Sequence, residues 1–211
     1  MTLALTRRDL DLLDALTLRV RLLTIAQVAH IFWPARSKQH RTRHRLSQLE
    51  SFGFVEIHCF NAHPLLPVQK PLFAWQPGED EPDCERIALQ CRERWQEPAI
   101  PQTVCVAGAL AANLFGSTSR GVPPREHRDH DLRLACVYAA YRQQHPRLSA
   151  LWRGEHGLPK AGYRIKDPDA FLCAEGGRRL RVIESAGRYS AAQVQSFHDH
   201  CETHELPYEL W

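Results

Sequence analysis

The sequence predicts a mixed α+β fold. Three helices and two strands fill the first third, and a helix, three strands, a helix and a last strand fill the final third. Three observations carry this. Apolar residues recur at helical spacing behind the cap residues Thr6, Thr24 and Ser190. Short apolar runs bounded by Gly and Pro stand at 54–60, 71–77 and 168–187. The Gly176-Gly177 turn ties two runs into a hairpin, whereas the last strand follows a helix and arrives by a crossover.

From Thr6, "TRRDLDLLDALTLRV" sets Leu10, Leu13, Leu16 and Val20 on one helical face, with Thr6 and Asp9 as a capping box. Thr24 caps "TIAQVAHIFW", with Ile25, Val28, Ala29 and Phe32 inward and Pro34 as its stop. Ser37 opens "SKQHRTRHRLSQLESFGF", with Leu46 and Leu49 inward and Gly53 as its stop. The runs "FVEIHCF" and "PLFAWQP" then pair across a Pro-rich loop at 61–71.

Three helices followed by a two-stranded hairpin is the order of a winged helix-turn-helix domain, here residues 1–78, whose third helix enters the DNA major groove. Charge agrees with that placement. Residues 1–60 hold nine Lys/Arg against five Asp/Glu, while the remainder holds 18 against 19. The excess lies in "ARSKQHRTRHRL", on the third helix. The candidate contacts to double-stranded DNA are Arg36, Lys38, Arg41, Arg43, Arg45 and Gln48. Of these, Lys38, Arg41, Arg45 and Gln48 share a face suited to phosphates and guanine edges, leaving Arg43 and His44 to face the domain. A merely solvated basic helix is the alternative.

Between the two parts, residues 79–122 read as a connecting segment. A helix, "CERIALQCRERWQ", is expected to pack back on the first domain or to serve a homodimer contact, and "IPQTVCVAGALAANLFG" reads as a strand or turn leading into a short helix. The bulk properties are those of an ordinary soluble protein: 211 residues, 44% hydrophobic and 24% charged, with a net charge of only +3. No apolar run reaches the roughly 18 residues of a membrane span, and the first residues lack signal-peptide order, so a cytoplasmic protein without a membrane partner is expected. Seven dispersed cysteines without CxxC spacing predict free, mostly buried thiols rather than a zinc site.

The final third, residues 123–211, reads as αβββαβ. "HDLRLACVYAAYRQQHP" is a helix with Leu132, Ala135, Cys136, Ala139 and Ala140 on one face. "LSALWRGE", "GYRIKDPDAFLCAEG" and "RRLRVIESAG" are strands, "AAQVQSFHDHCETHE" is a helix with Val194, Phe197 and Cys201 inward, and "LPYELW" is the last strand. His198 reads as a packed helix residue. The cluster His127, Asp129, His130 and Asp131 is faintly like the His-Asp pair of a metal phosphohydrolase, but strands follow where that chemistry needs further helices.

This order, with "PDA" and "IESAG" on neighbouring strands, resembles the PD-(D/E)xK nuclease superfamily and its restriction-endonuclease-like core. That resemblance implies two acids, Asp169 and Glu184, which in active members bind Mg²⁺ because hard cations want carboxylate oxygens. Glu155 is a third candidate metal ligand and Asp131 a further carboxylate. The lysine that positions the attacking water would stand two residues after Glu184, where this chain has Ala186. Lys166 is a catalytic candidate only if Pro168 bends its strand, since three residues from Asp169 it points to the opposite face. Arg188 stays protonated and activates water poorly. The expectation is therefore a nuclease-like core that does not cleave and needs no cofactor; the alternative is an Mg²⁺-dependent DNA endonuclease with Asp169, Glu184 and Lys166 as its catalytic residues.

The stretches "LTIAQVAHIFW", "RLSQLESFGFVE", "HDLRLACVY", "RIKDPDAF" and "RVIESAGRYS" together resemble the replication-relaxation family of plasmid and mobile-element proteins. The resemblance spans most of the chain outside roughly 80–120. It implies an accessory role in plasmid replication or mobilisation, beside replication or mobilisation proteins. As a DNA-binding module, the chain is equally expected to be a transcriptional regulator.

Overall fold

Thr6 starts the first helix: its hydroxyl accepts from the Asp9 N–H while the Asp9 carboxylate takes the Thr6 N–H at 2.7 Å. The structure is a computed structural model that describes residues 3–33, 38–63, 68–155 and 168–211. Helix α1 (Arg7–Asp14) runs on into a π-helical turn at Ala15–Arg19 and leads to strand β1 (Leu22–Thr24). A second capping box, Thr24 with Gln27, opens α2 (Ile25–Phe32), and α3 follows at Lys38–Ser51. The chain continues through β2 (Val55–Ala62), β3 (Phe73–Trp75), α4 (Cys84–Glu93), β4 (Ile100–Ala107) and α5 (Ala109–Phe115). Its last part holds α6 (Arg128–Gln144), α7 (Pro146–Ser149), β5 (Trp152–Gly154), β6 (Ala170–Cys173), β7 (Arg179–Glu184), α8 (Ala191–Thr203) and β8 (Tyr208–Leu210). Helices and strands mix as expected of an α+β fold, and the closing order of helix, three strands, helix and strand is present apart from the added turn α7.

Two sheets form among the described residues. One is antiparallel with order β1-β4-β2; the other has order β3-β8-β7-β6-β5, antiparallel except for the parallel pair β7 and β8. The first corrects the expected hairpin. The run at 54–60 does not pair with 71–77; β2 pairs along its whole length with β4, from Val55 opposite Ala107 to Ala62 opposite Ile100. Buried Val104, Cys105 and Val106 make β4 the central strand of that sheet. Strand β3 instead edges the second sheet, where Trp75 is buried and stacks on Tyr208 at 5.7 Å between ring centroids. Helix α4 also packs away from the first helices, against α8.

One apolar core holds Leu12, Leu16, Val28, Leu46 and Leu49 from the first three helices together with Tyr138 and Tyr141 of α6, Trp152 and Ile183. A second gathers Trp75, Ile87, Phe171, Val182, Val194 and Tyr208 under α4 and α8. Gly53 ends α3 at φ +76°, a conformation only glycine takes without strain. Gly108, between β4 and α5, approaches it so closely that a Cβ there would lie 2.4 Å from the Gly53 carbonyl oxygen. Leu10, expected inward, is exposed because the buried α1 stripe is Asp9, Leu12 and Leu13. The seven cysteines are free thiols, of which Cys91, Cys105 and Cys201 are buried. Among the described residues no helix is long and apolar enough to cross a membrane.

Candidate functional site

Helix α3 is held by Thr42, Leu46 and Leu49, all fully buried on one stripe that packs on α2 and β2. Residues off that stripe decide what α3 can offer a partner. His40, Arg41, Arg43 and His44 are exposed. Arg45 turns the other way. Its Nε and Nη2 donate to Asp9 Oδ1 and Oδ2 at 3.0 and 2.6 Å, Nη1 donates to Gln48 Oε1 at 2.8 Å, and Nη2 also donates to the Ala4 carbonyl at 2.8 Å. Burial opposes ionisation of Asp9, but hydrogen bonds from Arg45 and Thr6 and the Arg45 charge outweigh it and hold the carboxyl below its usual range. Arg45 and Gln48 are thus engaged within the fold, and Arg43 and His44, expected to face the domain, face solvent. The reason is register: Arg45 flanks Leu46 on the side facing α1, while Arg41, Arg43 and His44 fall outside the Thr42–Leu46–Leu49 stripe. Arg36 and the Lys38 side chain lie outside the described residues.

The second candidate lies where β6 begins and β7 ends. Pairing of Ala170 with Ile183 sets Asp169 beside Glu184, and each is only 1% exposed. The Asp169 N–H donates to Glu184 Oε2 at 3.2 Å, and the Ser185 N–H donates to Asp169 Oδ2 at 2.7 Å. His130 Nε2, from the first turn of α6, also donates to Asp169 Oδ2 at 2.9 Å, and the Tyr189 hydroxyl donates to Glu184 Oε1. Neither side-chain donor was anticipated. His130 stands in a stretch weighed only for phosphohydrolase chemistry, and nothing in "GRYS" marks Tyr189 as a carboxylate donor.

The outer carboxylates lie near positive groups, although among the described residues the buried Asp131 Oδ2 has no hydrogen-bond partner. Arg21 lies 3.6 Å from Glu155 Oε1 and 3.9 Å from Asp131 Oδ2, and His130 Nδ1 lies 3.4 Å from Asp131 Oδ1. Ala186 is fully buried in the second core, with Phe171, Val182, Val194 and Cys201. The place of the expected lysine is therefore an apolar one. Lys166 lies outside the described residues.

Would these groups suit Mg²⁺? It demands near-octahedral oxygen ligation. Asp169 Oδ2 and both Glu184 oxygens already accept from protein donors, and Glu155 is paired with Arg21. Among the described residues no group of three or more His, Cys, Asp or Glu is arranged to hold a metal ion. The described residues do not fit the ion. What they form is a buried, hydrogen-bonded acid pair joining β6, β7 and α6. No family model, curated protein or solved structure matches the chain.

Proposed function

We propose that the chain binds duplex DNA through a winged helix-turn-helix formed by α1–α3 and the β1-β4-β2 sheet. In this reading α3 enters the major groove, and the nuclease-like module of α6, β5–β7, α8 and β8 adds contacts without cutting the strand. The observation that carries it is the outer face of α3, where Arg41, Arg43, His40 and His44 stand exposed on the last helix before an antiparallel β2–β4 hairpin. The non-cleaving part is supported by the engaged oxygens of Asp169 and Glu184 and by the apolar setting of Ala186. The biological setting we favour is that of the replication-relaxation resemblance: an accessory factor of plasmid or mobile-element replication or mobilisation, or a regulator of transcription.

Fluorescence anisotropy with a labelled duplex over a salt series tests the binding. Arg41→Gln with Arg43→Gln should weaken affinity and reduce the slope of log K against log salt by about two units, near 0.9 per lost phosphate contact. An unchanged slope removes α3 as the reading helix. The pairing of two acids across adjacent strands is the observation that favours the endonuclease alternative. Nicking of supercoiled plasmid with Mg²⁺ or Mn²⁺, lost in both Asp169→Ala and Glu184→Ala, would establish that alternative in place of a silent core.

A further inference from the structure

The β2–β4 hairpin opens at its tip, at Ala62 and Ile100, and arginines from three parts of the chain gather around a tryptophan of the segment between them. Trp95, just past α4, is the centre. The Arg133 Cζ of α6 lies 5.4 Å from its ring centroid, and the Arg188 Cζ, just past β7, lies 5.5 Å from it. His63, the residue after β2, meets the same ring edge-on at 5.2 Å, and Trp95 Nε1 donates to the Gly187 carbonyl at 3.0 Å. Arg94, next to Trp95, has a buried Nη1 without a hydrogen-bond partner.

Among the described residues none of the three arginines has a carboxylate partner. Asp129, one turn before Arg133 on α6, is taken by His63, whose N–H and Nδ1 donate to it at 2.7 and 2.9 Å. Burial, and after it the Arg133 charge, lowers the pKa of Arg94 to about 10. Gathered guanidinium groups without counter-charge are costly in a half-buried setting, and guanidinium is the side chain best matched to phosphate. The ring is already covered by His63 and the arginines, which disfavours base stacking. Arg188 is exposed and Arg94 and Arg133 are half-buried, so the cluster is open to a ligand. At about 3.3 Å per residue, the eight-residue β2 puts this tip roughly 26 Å from the hairpin base where α3 packs, within one turn of a DNA duplex.

We propose that Arg94, Arg133 and Arg188 form a second phosphate site, which takes a backbone phosphate of the same DNA duplex that α3 reads. The proposal rests on the DNA-binding reading above. Full-length wild type, the cluster variant (R94Q with R133Q and R188Q) and the α3 variant (R41Q with R43Q) are compared by duplex anisotropy across a potassium chloride series. The cluster variant should lose about one unit of salt slope, near 0.9 for the one phosphate it holds, separately from the loss in the α3 variant. Thermal unfolding supplies a second readout. Sodium tripolyphosphate should raise the Tm of the wild type above that in sodium chloride of equal ionic strength, and leave the cluster variant unmoved. Without DNA the cluster variant should melt no lower than wild type, because the charges it loses are uncompensated.

An unchanged slope in the cluster variant, with the α3 variant reduced, overturns this site and leaves the DNA reading standing. Should the cluster variant melt far below wild type, exposed Arg188→Gln alone decides: a reduced slope, by up to about one unit, supports the site and no loss overturns it. If the wild type binds no duplex, the DNA reading fails. Tripolyphosphate then judges the cluster alone, and a shift shared by wild type and cluster variant overturns it.

Discussion

Arg45→Ala separates the structural arginine of α3 from those proposed to contact DNA. Asp9 is 1% exposed, and after truncation its remaining donors are the N–H and hydroxyl of Thr6, each at 2.7 Å. Removing one partner of a buried ion pair costs about 3–5 kcal/mol. Arg45 keeps 20% exposure and the Thr6 bonds survive, so the lower end, about 3 kcal/mol, applies. For a chain of this size roughly 2–4 °C accompanies each kcal/mol, which gives a fall in Tm of about 6–12 °C. The pH dependence has a definite sign. The folded carboxyl of Asp9 titrates below its ordinary value of 3.8, so its contribution is complete above that pH and fades as pH falls through the folded value. The gap in urea-derived stability between wild type and Arg45→Ala should therefore be full at pH 7, begin to shrink near about pH 4 and close only below the folded value. Under the DNA-binding reading, duplex affinity of the folded variant should be unchanged. A variant as stable as wild type but with a reduced salt slope would refute this reasoning and return Arg45 to the proposed DNA interface.

Three other substitutions probe the acid pair and the joint between the first sheet and α5. Ala186→Lys writes in the residue that a cleaving core would carry, yet the site is apolar and fully buried; overpacking should cost about 1–3 kcal/mol, burial of an unpaired ammonium adds to it, and under the non-cleaving reading no plasmid nicking is expected. Gained Mg²⁺-dependent nicking would show that only a lysine was missing. His130→Ala strips a donor from buried Asp169 and should destabilise by about 1–3 kcal/mol in urea unfolding, with His130→Gln recovering part; equal stability of the alanine variant would make that bond dispensable. Gly108→Ala sets a methyl 2.4 Å from a backbone oxygen, which no side-chain rotation can relieve, so its Tm should fall by several degrees; an unchanged Tm would contradict the close approach of Gly53 and Gly108.

What the sequence shows plainly are features whose physics is local. The Thr6–Asp9 box, the Thr24 and Ser190 caps and the Gly53 stop all stand where expected, because a cap needs only its own first turn. The αβββαβ order was legible for the same reason, since Gly176 and Gly177 turn the chain between β6 and β7. Long-range pairing was not. A hairpin between 54–60 and 71–77 is the economical reading of nearby strands, and nothing local reveals that β4, 38 residues beyond the end of β2, is the true partner. Arg45 was misleading in the same way. Helical spacing puts it on the basic face, but Asp9, 36 positions earlier, claims its guanidinium. His130 meets Asp169 across 39 positions, a contact that no spacing rule contains.

The segment between β2 and β4 changes how the two ends of the chain relate. A wing joined by a short turn would be free to move against the rest of the protein. Here the connection instead lends β3 to the edge of the second sheet and lays α4 on α8, so that Trp75 and Ile87 share a core with Val182 and Tyr208. Meanwhile Leu46 and Leu49 of α3 share the other core with Tyr138, Tyr141 and Trp152. Displacing either β3 or α6 would expose apolar surface that packing now buries, at about 25 cal/mol for each Å². The basic helix and the acid pair are therefore tied through two separate apolar contacts. Under the DNA-binding reading, a duplex held by α3 is presented to the hairpin tip and to the acid pair through elements that share those two cores.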